Sequence, residues 1–179
     1  MLKNICKSIL LIIIVISIAF IVQHLKKSHL KESIIKEINS QTDIKYNISD
    51  NIRRCVSNGH MSCDSEKIPS CYKLVYEMNF GCSRCLIDMK EIHNFYIKLS
   101  NIREIEFCLI TTIKSYGYIK FYLDQSLENY DLWVVQQKVT NDNIKLYLID
   151  TLNNIVMAGD ITKYPFLKDE YIRKFKNEK

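Results

Sequence analysis

A pair of cysteines between a strand pattern and a helix pattern is the feature that most restricts how this chain can fold. From residue 72 to residue 78, polar and apolar side chains largely alternate, which predicts a β-strand. Gly81 and Cys82 follow, and Cys85 stands three positions after Cys82. Beyond them, apolar residues recur at helical spacing, which predicts an amphipathic helix over residues 83–99. The chain is therefore expected to contain a strand that leads directly into a helix.

The remainder of this part of the chain continues with strand and helix patterns. The patterns predict a strand over 105–111, a helix over 116–129, a hairpin of strands 144–150 and 155–159 around an Asn-Asn turn, and a last helix over 165–175. A short apolar piece at 132–135 has no firm assignment. A parallel βαβ unit followed by an antiparallel hairpin predicts an α/β fold, with a mixed sheet and flanking helices.

The position of the cysteine pair suggests its chemistry. Cys82, at the start of the predicted helix, faces unpaired backbone N–H groups and the positive end of the helix dipole, which both favour the nucleophilic thiolate. Arg84, which follows Ser83 inside the motif, adds positive charge, and Gly81 leaves room for a substrate to approach. Cys85, one turn along and facing inward, is placed to attack a mixed disulfide formed at Cys82.

These features resemble the thioredoxin fold and, within it, the membrane-anchored, TlpA-like thiol-disulfide oxidoreductases of bacteria. The resemblance rests on Phe-Gly before the motif, Cys-Ser-Arg-Cys at the helix start and the strand YLID before a turn, and it covers about residues 71 to 175. It implies that Cys82 is the nucleophile, that Cys85 is the resolving thiol and that the two form a reversible disulfide. It also implies protein thiols or disulfides as substrates, a separate redox partner and no cofactor.

One position departs from the family pattern. The family has a cis-proline just before the strand that corresponds to residues 144–150, where it packs against the active-site sulfurs. Here that position falls at Asn143 and Ile144, while the prolines of the chain are Pro69 and Pro165. Asn143 and Ile144 are therefore expected to line a substrate groove that differs from the usual one. A redox-inactive thioredoxin-fold binding module with a structural disulfide is the alternative function.

The N-terminal residues predict a membrane anchor. Residues 9–22 are apolar except for Ser17, and two lysines precede them. No small-residue cleavage site follows, so we expect an uncleaved signal anchor, or transmembrane helix, over residues 1–24. Residues 25–70 are expected to form an amphipathic stalk and a polar linker, and residues 71–179 the thioredoxin-like domain.

Charge and cysteine content restrict the partner and the compartment. The net charge is +5 at pH 7, but residues 1–40 carry six lysines and only two glutamates, so the body is nearly neutral and nucleic acid is excluded as a partner. The lysines after the apolar run would keep the body in the cytoplasm by the positive-inside rule. Seven cysteines favour an oxidising compartment. We therefore expect a single-pass protein of the inner (cytoplasmic) membrane with its thioredoxin-like domain on the periplasmic side.

The other cysteines offer a rival interpretation as zinc ligands. Cys55, Cys63 and Cys71 precede the pair, and four thiolates suffice for a structural zinc site. Their spacing of eight residues does not match the paired C-x-x-C of such sites, so no metal is expected, and a Cys55–Cys63 disulfide is favoured instead. Cys108 lies in an apolar run and is expected to be a buried small hydrophobe.

Two titratable residues, Asp88 and His93, lie in the helix predicted over residues 83–99. His93 lies close to Glu91 and Asn94, which predicts a solvated face for it. Asp88 is interpreted as a favourable charge near the start of the helix dipole. A proton-transfer role for Asp88, three residues after Cys85, is the alternative.

Overall fold

A computed structural model describes residues 2–40, 42, 44–46, 53–56, 61–62, 71–78, 83–126, 130–135 and 146–177. Its elements in chain order are α1 (Leu2–Asn39), β1 (Arg53–Val56), β2 (Met61–Ser62), β3 (Tyr72–Met78), α2 (Ser83–Ser100), β4 (Ile105–Thr112), α3 (Ile113–Ser126), β5 (Asp131–Val135), β6 (Leu146–Ile149), β7 (Ile155–Ala158) and α4 (Leu167–Asn177). The chain divides into two compact units, Met1–Ser40 and Gln41–Lys179.

The first unit consists of α1. The helix runs without a break from the apolar residues into the segment predicted to be a stalk. Among the described residues, Leu11–Asn39 is the part of the chain that is long and apolar enough to cross a membrane, by length and composition. Its apolar side chains from Leu11 to Val22 are exposed. A signal sequence at an N-terminus has the same properties, so length and composition establish only that α1 is suited to a membrane.

The second unit is built on one seven-stranded sheet with the order β2-β1-β5-β4-β3-β6-β7. Within it, β3 pairs in parallel with β4 and antiparallel with β6. The strand β4 also pairs in parallel with β5, and β6 pairs antiparallel with β7. This topology confirms the predicted parallel βαβ unit and the antiparallel hairpin in one mixed sheet.

Three strands of the sheet differ from the sequence-based expectation. The unassigned piece at 132–135 belongs to β5, which extends the sheet in parallel with β4. The strands β1 and β2 come from the predicted polar linker, and β1 pairs antiparallel with β5. These strands are four and two residues long, too short for a period-2 pattern to stand out. Residues of the expected linker therefore contribute to the sheet, and the second compact unit spans Gln41–Lys179.

Both α2 and α4 pack against the same face of the sheet. The ring of Tyr96 on α2 stacks on Phe107 of β4, with centroids 5.2 Å apart and planes at 21°. The ring of Phe95, also on α2, meets Tyr171 of α4 edge to face at 5.8 Å. The Tyr171 hydroxyl in turn donates a hydrogen bond to the carbonyl of Leu146 at 2.7 Å. These buried contacts join both helices to the strands around β3.

The opposite face of the sheet carries a second buried cluster. It contains Tyr46, Val75, Cys108, Ile110, Trp133, Val135, Tyr147, Ile149, Ile155 and Ala158. On the same face of β3, Glu77 is buried and accepts a hydrogen bond from the Tyr46 hydroxyl at 2.6 Å. Lys73 is also buried, and its Nζ donates to the Cys71 carbonyl at 3.1 Å. Since both faces of β3 are buried, its charged residues lie inside the protein, although their alternation with apolar residues is typical of a half-solvated strand.

Candidate functional site

The predicted active site lies at the junction between β3 and α2. The strand ends at Met78 and the helix begins at Ser83, so Cys82 immediately precedes α2 in the sequence. The first N–H groups of a helix have no intrahelical acceptor, and here they belong to the residues that follow Cys82. The expectation that a helix starts directly after the first cysteine of the motif is therefore confirmed.

The predicted site residues fall into two groups. Gly81, Cys82, Asn143 and Ile144 lie outside the described residues. Ser83, Arg84 and Cys85 form the first turn of α2, where the structure describes the backbone only. The roles assigned to all seven residues, and the Cys82–Cys85 disulfide, therefore remain predictions.

The topology places this junction at a defined edge of the sheet. Because β3 and β4 are parallel, their carboxyl ends, Met78 and Thr112, lie at the same edge. The antiparallel β6 starts there, since Leu146 is paired with Tyr76. The strand β6, which follows Asn143 and Ile144 in the sequence, therefore begins at the edge of the sheet where β3 ends. In open α/β sheets, the carboxyl ends of parallel strands are the usual place for a functional site.

Buried residues of α2 define the face that points to the sheet. Met89, Ile92, Phe95 and Leu99 are all buried, whereas Ile87 is 72% exposed. Residues three, four and seven apart lie on one side of a helix. Position 85 is four residues before Met89 and seven before Ile92, so the helical period places it on the line of the buried residues.

Tyr76 and two aspartates form a titratable group that the sequence did not indicate. Tyr76 is buried on β3, and burial, followed by the negative charges of Asp88 and Asp160, raises the pKa of its hydroxyl. Asp88 is the sixth residue of α2, and no acidic residue lies in the first turn of that helix. A simple dipole role for Asp88 is therefore weak, because dipole effects fall off within the first turn. Asp160 follows β7 and is brought to this group only by the fold.

The histidine of α2 lies in a different environment from the one predicted. The His93 ring is half-buried and contacts the rings of Phe107 at 5.7 Å and Tyr96 at 5.8 Å. Burial lowers the pKa of its imidazole. The predicted solvated face is therefore only partly exposed at His93, because the aromatic side chains of α2 and β4 cover one side of the ring. The charged and amide neighbours in the sequence did not reveal this contact.

The pKa of His93 leads to a testable pH dependence of stability. Because the folded state holds the imidazole pKa below its unfolded value of about 6.5, the unfolded state binds more protons as the pH falls through that value. The free energy of unfolding should therefore decrease between pH 7.5 and pH 5, and part of this decrease should disappear in His93→Phe. Urea denaturation at the two pH values measures it. Equal pH dependence in the parent and the variant would contradict the assignment.

Cys71 and Cys108 are free thiols in unlike settings. Cys108 is fully buried, which confirms the expectation of a small hydrophobe. Cys71 is partly buried and its Sγ donates to Glu106 Oε2 at 3.8 Å. Burial, and after it the negative charge of Glu106, raises the pKa of its thiol.

Cys55 lies in β1, where Met61 and Leu132 are its cross-strand partners. The predicted Cys55–Cys63 disulfide remains a prediction, since Cys63 is outside the described residues. Among the described residues, no group of three or more His, Cys, Asp or Glu side chains is placed to hold a metal ion.

Comparison with known proteins identifies the fold. The chain is similar to the solution structure of an uncharacterized thioredoxin-like protein from Porphyromonas gingivalis, with a TM-score of 0.52 and 13% identity over 74% of this chain and 92% of that one. It is also similar to the crystal structure of the thioredoxin domain of a thiol-disulfide oxidoreductase from Bacteroides vulgatus, with a TM-score of 0.51 and 15% identity over 73% and 97% of the two chains. No protein-family model and no curated protein sequence matches the chain. At these identities the likeness establishes the fold: the chain has a thioredoxin-like mixed α/β sheet with flanking helices, preceded by a long apolar N-terminal helix.

Proposed function

We propose that this protein is a membrane-anchored thiol-disulfide oxidoreductase that acts through Cys82-Ser83-Arg84-Cys85. The observation that carries the proposal is the position of this motif, which spans the start of α2 directly after β3 in a thioredoxin-like fold. A helix start lowers the pKa of a cysteine, because its N–H groups and dipole stabilise the thiolate. The Bacteroides vulgatus protein of similar fold is itself described as a thiol-disulfide oxidoreductase.

The proposed reaction is an exchange of one disulfide between the protein and a client. The Cys82 thiolate attacks a sulfur of the client disulfide, so a Cys82–client bond forms and the other client sulfur leaves as a thiolate that takes up a proton. Cys85, after losing its proton to solvent, then attacks Cys82. The Cys82–Cys85 disulfide forms, the second client sulfur leaves, and the client is reduced while the pair is oxidised. The reverse sequence oxidises a client dithiol.

The neighbouring residues have supporting roles in this proposal. Arg84 supplies a fixed positive charge that favours the Cys82 thiolate, and Gly81 leaves room for the client backbone. Asn143 and Ile144 would line the groove next to the sulfurs, since their segment enters the sheet at the edge where α2 begins. Without a proline at this position, the groove is expected to select clients differently from related proteins.

We further propose that α1 holds the domain at the inner membrane, on the periplasmic side. Residues 9–22 would lie in the bilayer, and α1 is long and apolar enough for this role. Seven cysteines in the chain fit an oxidising compartment, where exported proteins would be the clients and a separate redox partner would reset the pair. Acid quenching of cells followed by alkylation of free thiols reports the redox state of the pair and hence its compartment.

The test of the enzymatic proposal is a Cys85→Ser variant purified from membranes. Without the resolving thiol, mixed disulfides between Cys82 and client proteins should accumulate and should run as reducible adducts on gels. The matched control is the Cys82→Ser/Cys85→Ser double variant, in which the adducts should disappear. No adducts, together with a Cys82–Cys85 potential below about −300 mV, the range of structural disulfides, would favour the binding module with a structural disulfide.

A further inference from the structure

Three lysines lie on α1 shortly after its apolar residues and form what we call the lysine patch. Lys26, Lys27 and Lys31 belong to this continuous helix, and all three are exposed. Residues four apart lie on one side of a helix, so Lys27 and Lys31 are neighbours. Lys26 lies about a quarter turn around the helix from Lys27. The patch therefore presents positive charge over a broad part of the helix surface.

The sequence around the lysine patch offers it no acidic side chain at helical spacing. No Asp or Glu stands three or four positions from any of the three lysines. Lys27 and Lys31 are four positions apart, and like charges at that spacing destabilise a helix. By contrast, Glu32 lies 4.0 Å from His29 and four positions before Lys36, where opposite charges stabilise a helix. An anion beside Lys27 and Lys31 would therefore reduce their repulsion.

The length of the apolar segment defines the depth of the lysine patch when α1 spans a bilayer. Residues 9–22 rise by about 21 Å, whereas the hydrocarbon core is about 30 Å thick. From Lys7 to Lys26 the helix rises by about 28 Å, close to that thickness. Lys26 and Lys27 therefore lie at the boundary of the hydrocarbon, where lysine side chains extend to the headgroups. Lys31, about 7 Å further along, is within a Debye length of the surface.

We propose that Lys26, Lys27 and Lys31 bind the phosphate groups of anionic phospholipids in the leaflet that they face. This inference rests on the proposed anchor role of α1 and adds to it the lipid class that the anchor selects. Zwitterionic lipids also contain phosphate, but their own positive group cancels its charge. An anionic headgroup has a net negative charge that pairs with the lysine ammonium groups, and each such lysine near the surface strengthens the attraction about fivefold.

Charge also argues against a second copy of this chain as the partner of the lysine patch. Two copies that met through the same surface would place their lysines opposite one another, and juxtaposed like charges are strongly unfavourable. Anionic lipid has the complementary charge. It is also adjacent to the helix in any bilayer that α1 crosses, so weak individual contacts are sufficient.

The test measures which lipids lie next to the helix. The full chain is reconstituted in vesicles with phosphatidylcholine and phosphatidylglycerol in both leaflets, so the result does not depend on orientation. Electron paramagnetic resonance of spin-labelled lipids gives the share of each lipid that the helix immobilises. The parent should prefer phosphatidylglycerol about twofold to fivefold, because sites away from the lysines dilute the effect. The Lys26→Gln/Lys27→Gln/Lys31→Gln variant should show no preference, and high salt should weaken that of the parent.

The matched control removes the same amount of charge elsewhere in the chain. Lys90, Lys98 and Lys176 are exposed lysines of the second unit. The Lys90→Gln/Lys98→Gln/Lys176→Gln variant should keep the parental preference. Replacement of the three patch lysines by arginine retains their charge and should also keep it. If the variant with all three patch lysines replaced by glutamine fails to insert, Lys27→Gln alone should still lose part of the preference.

The outcomes separate this inference from the anchor on which it rests. Equal preference in the parent and in the glutamine variants of the patch, or loss of preference in the control, would overturn the inference. Inorganic phosphate added at constant ionic strength should leave the preference unchanged, and its loss would show that the patch binds free phosphate instead of lipid. In all these cases the anchor stands if the parent stays with the vesicles in alkaline carbonate. Release of the parent by carbonate would refute the anchor and, with it, the inference.

Discussion

Replacing Cys82 with serine should abolish thiol-disulfide exchange, leaving only the rate of the buffer thiols. The serine hydroxyl is not ionised at neutral pH and does not form a mixed disulfide, so neither step of the reaction can begin. Reduction of a small disulfide substrate by the full chain, in the presence of dithiothreitol, measures the loss. The effect is expected to be complete because Cys82 is assigned the first nucleophilic step.

The matched control for this prediction is Cys71→Ser. Cys71 is partly buried and its thiol contacts Glu106, with a raised pKa that disfavours the thiolate. It begins the segment before β3, at the end of the sheet away from the motif. Exchange should therefore proceed at the parental rate in Cys71→Ser. Full activity in Cys82→Ser, or a comparable loss in Cys71→Ser, would show that another thiol is the nucleophile.

Replacing Tyr46 with phenylalanine should lower the free energy of unfolding by about 2 kcal/mol, the range for a hydrogen bond to an ionisable group. The Tyr46 hydroxyl donates to Glu77 Oε1 at 2.6 Å, and both residues are buried. The substitution keeps the ring, whose centroid is 5.2 Å from that of Tyr147, so the loss reports the hydrogen bond instead of packing. Urea denaturation at pH 7 measures the change.

A double-mutant cycle separates this bond from unrelated effects. Tyr46→Phe, Glu77→Gln and the double variant should show coupling, with the double variant losing less than the sum of the single losses. The control is Tyr164→Phe, where the ring contact with Phe166 at 6.1 Å is retained and the change should stay within about 0.5 kcal/mol. Additive losses would mean that the two side chains do not depend on one another.

Two backbone hydrogen bonds also attach residues outside the predicted domain to the sheet. The amide of Tyr46 donates to the Asn153 carbonyl at 2.8 Å, and the amide of Ile155 donates to the Ile44 carbonyl at 2.9 Å. These bonds attach residues 44–46 to the β6–β7 hairpin. The sequence of this region is polar and predicts a linker. Nothing in it indicates that the hydroxyl of its single tyrosine, Tyr46, bonds to Glu77, 31 positions away.

Long periodic segments account for what the sequence predicted well. The helix at 83–99 and the strand at 105–111 match α2 and β4 to within one residue at each end. The helix expected at 116–129 begins earlier, as α3 at Ile113. The last helix begins at Leu167 instead of Pro165, since a turn precedes it. Boundaries are less certain than element types because the apolar period defines the middle of an element better than its ends.

The candidate site likewise has one part that the sequence predicted and another part that it did not. A cysteine pair between a strand pattern and a helix pattern is local information, so the sequence located the start of α2 at Ser83. The position of Asp160 near Tyr76 was not predictable. It depends on strand register and on which elements meet at one edge of the sheet, and it cannot be read from spacing along the chain.

The sequence by itself determined the order of the main elements, the apolar N-terminal helix and the position of Cys82-Ser83-Arg84-Cys85 at a strand-to-helix junction. These follow from hydrophobic periodicity and from local backbone chemistry, which act over a few residues. Only the tertiary structure decided that β1, β2 and β5 extend the sheet and that Glu77 is buried beside Tyr46. These features arise from contacts between residues far apart in the chain, where burial and pairing outweigh local preference.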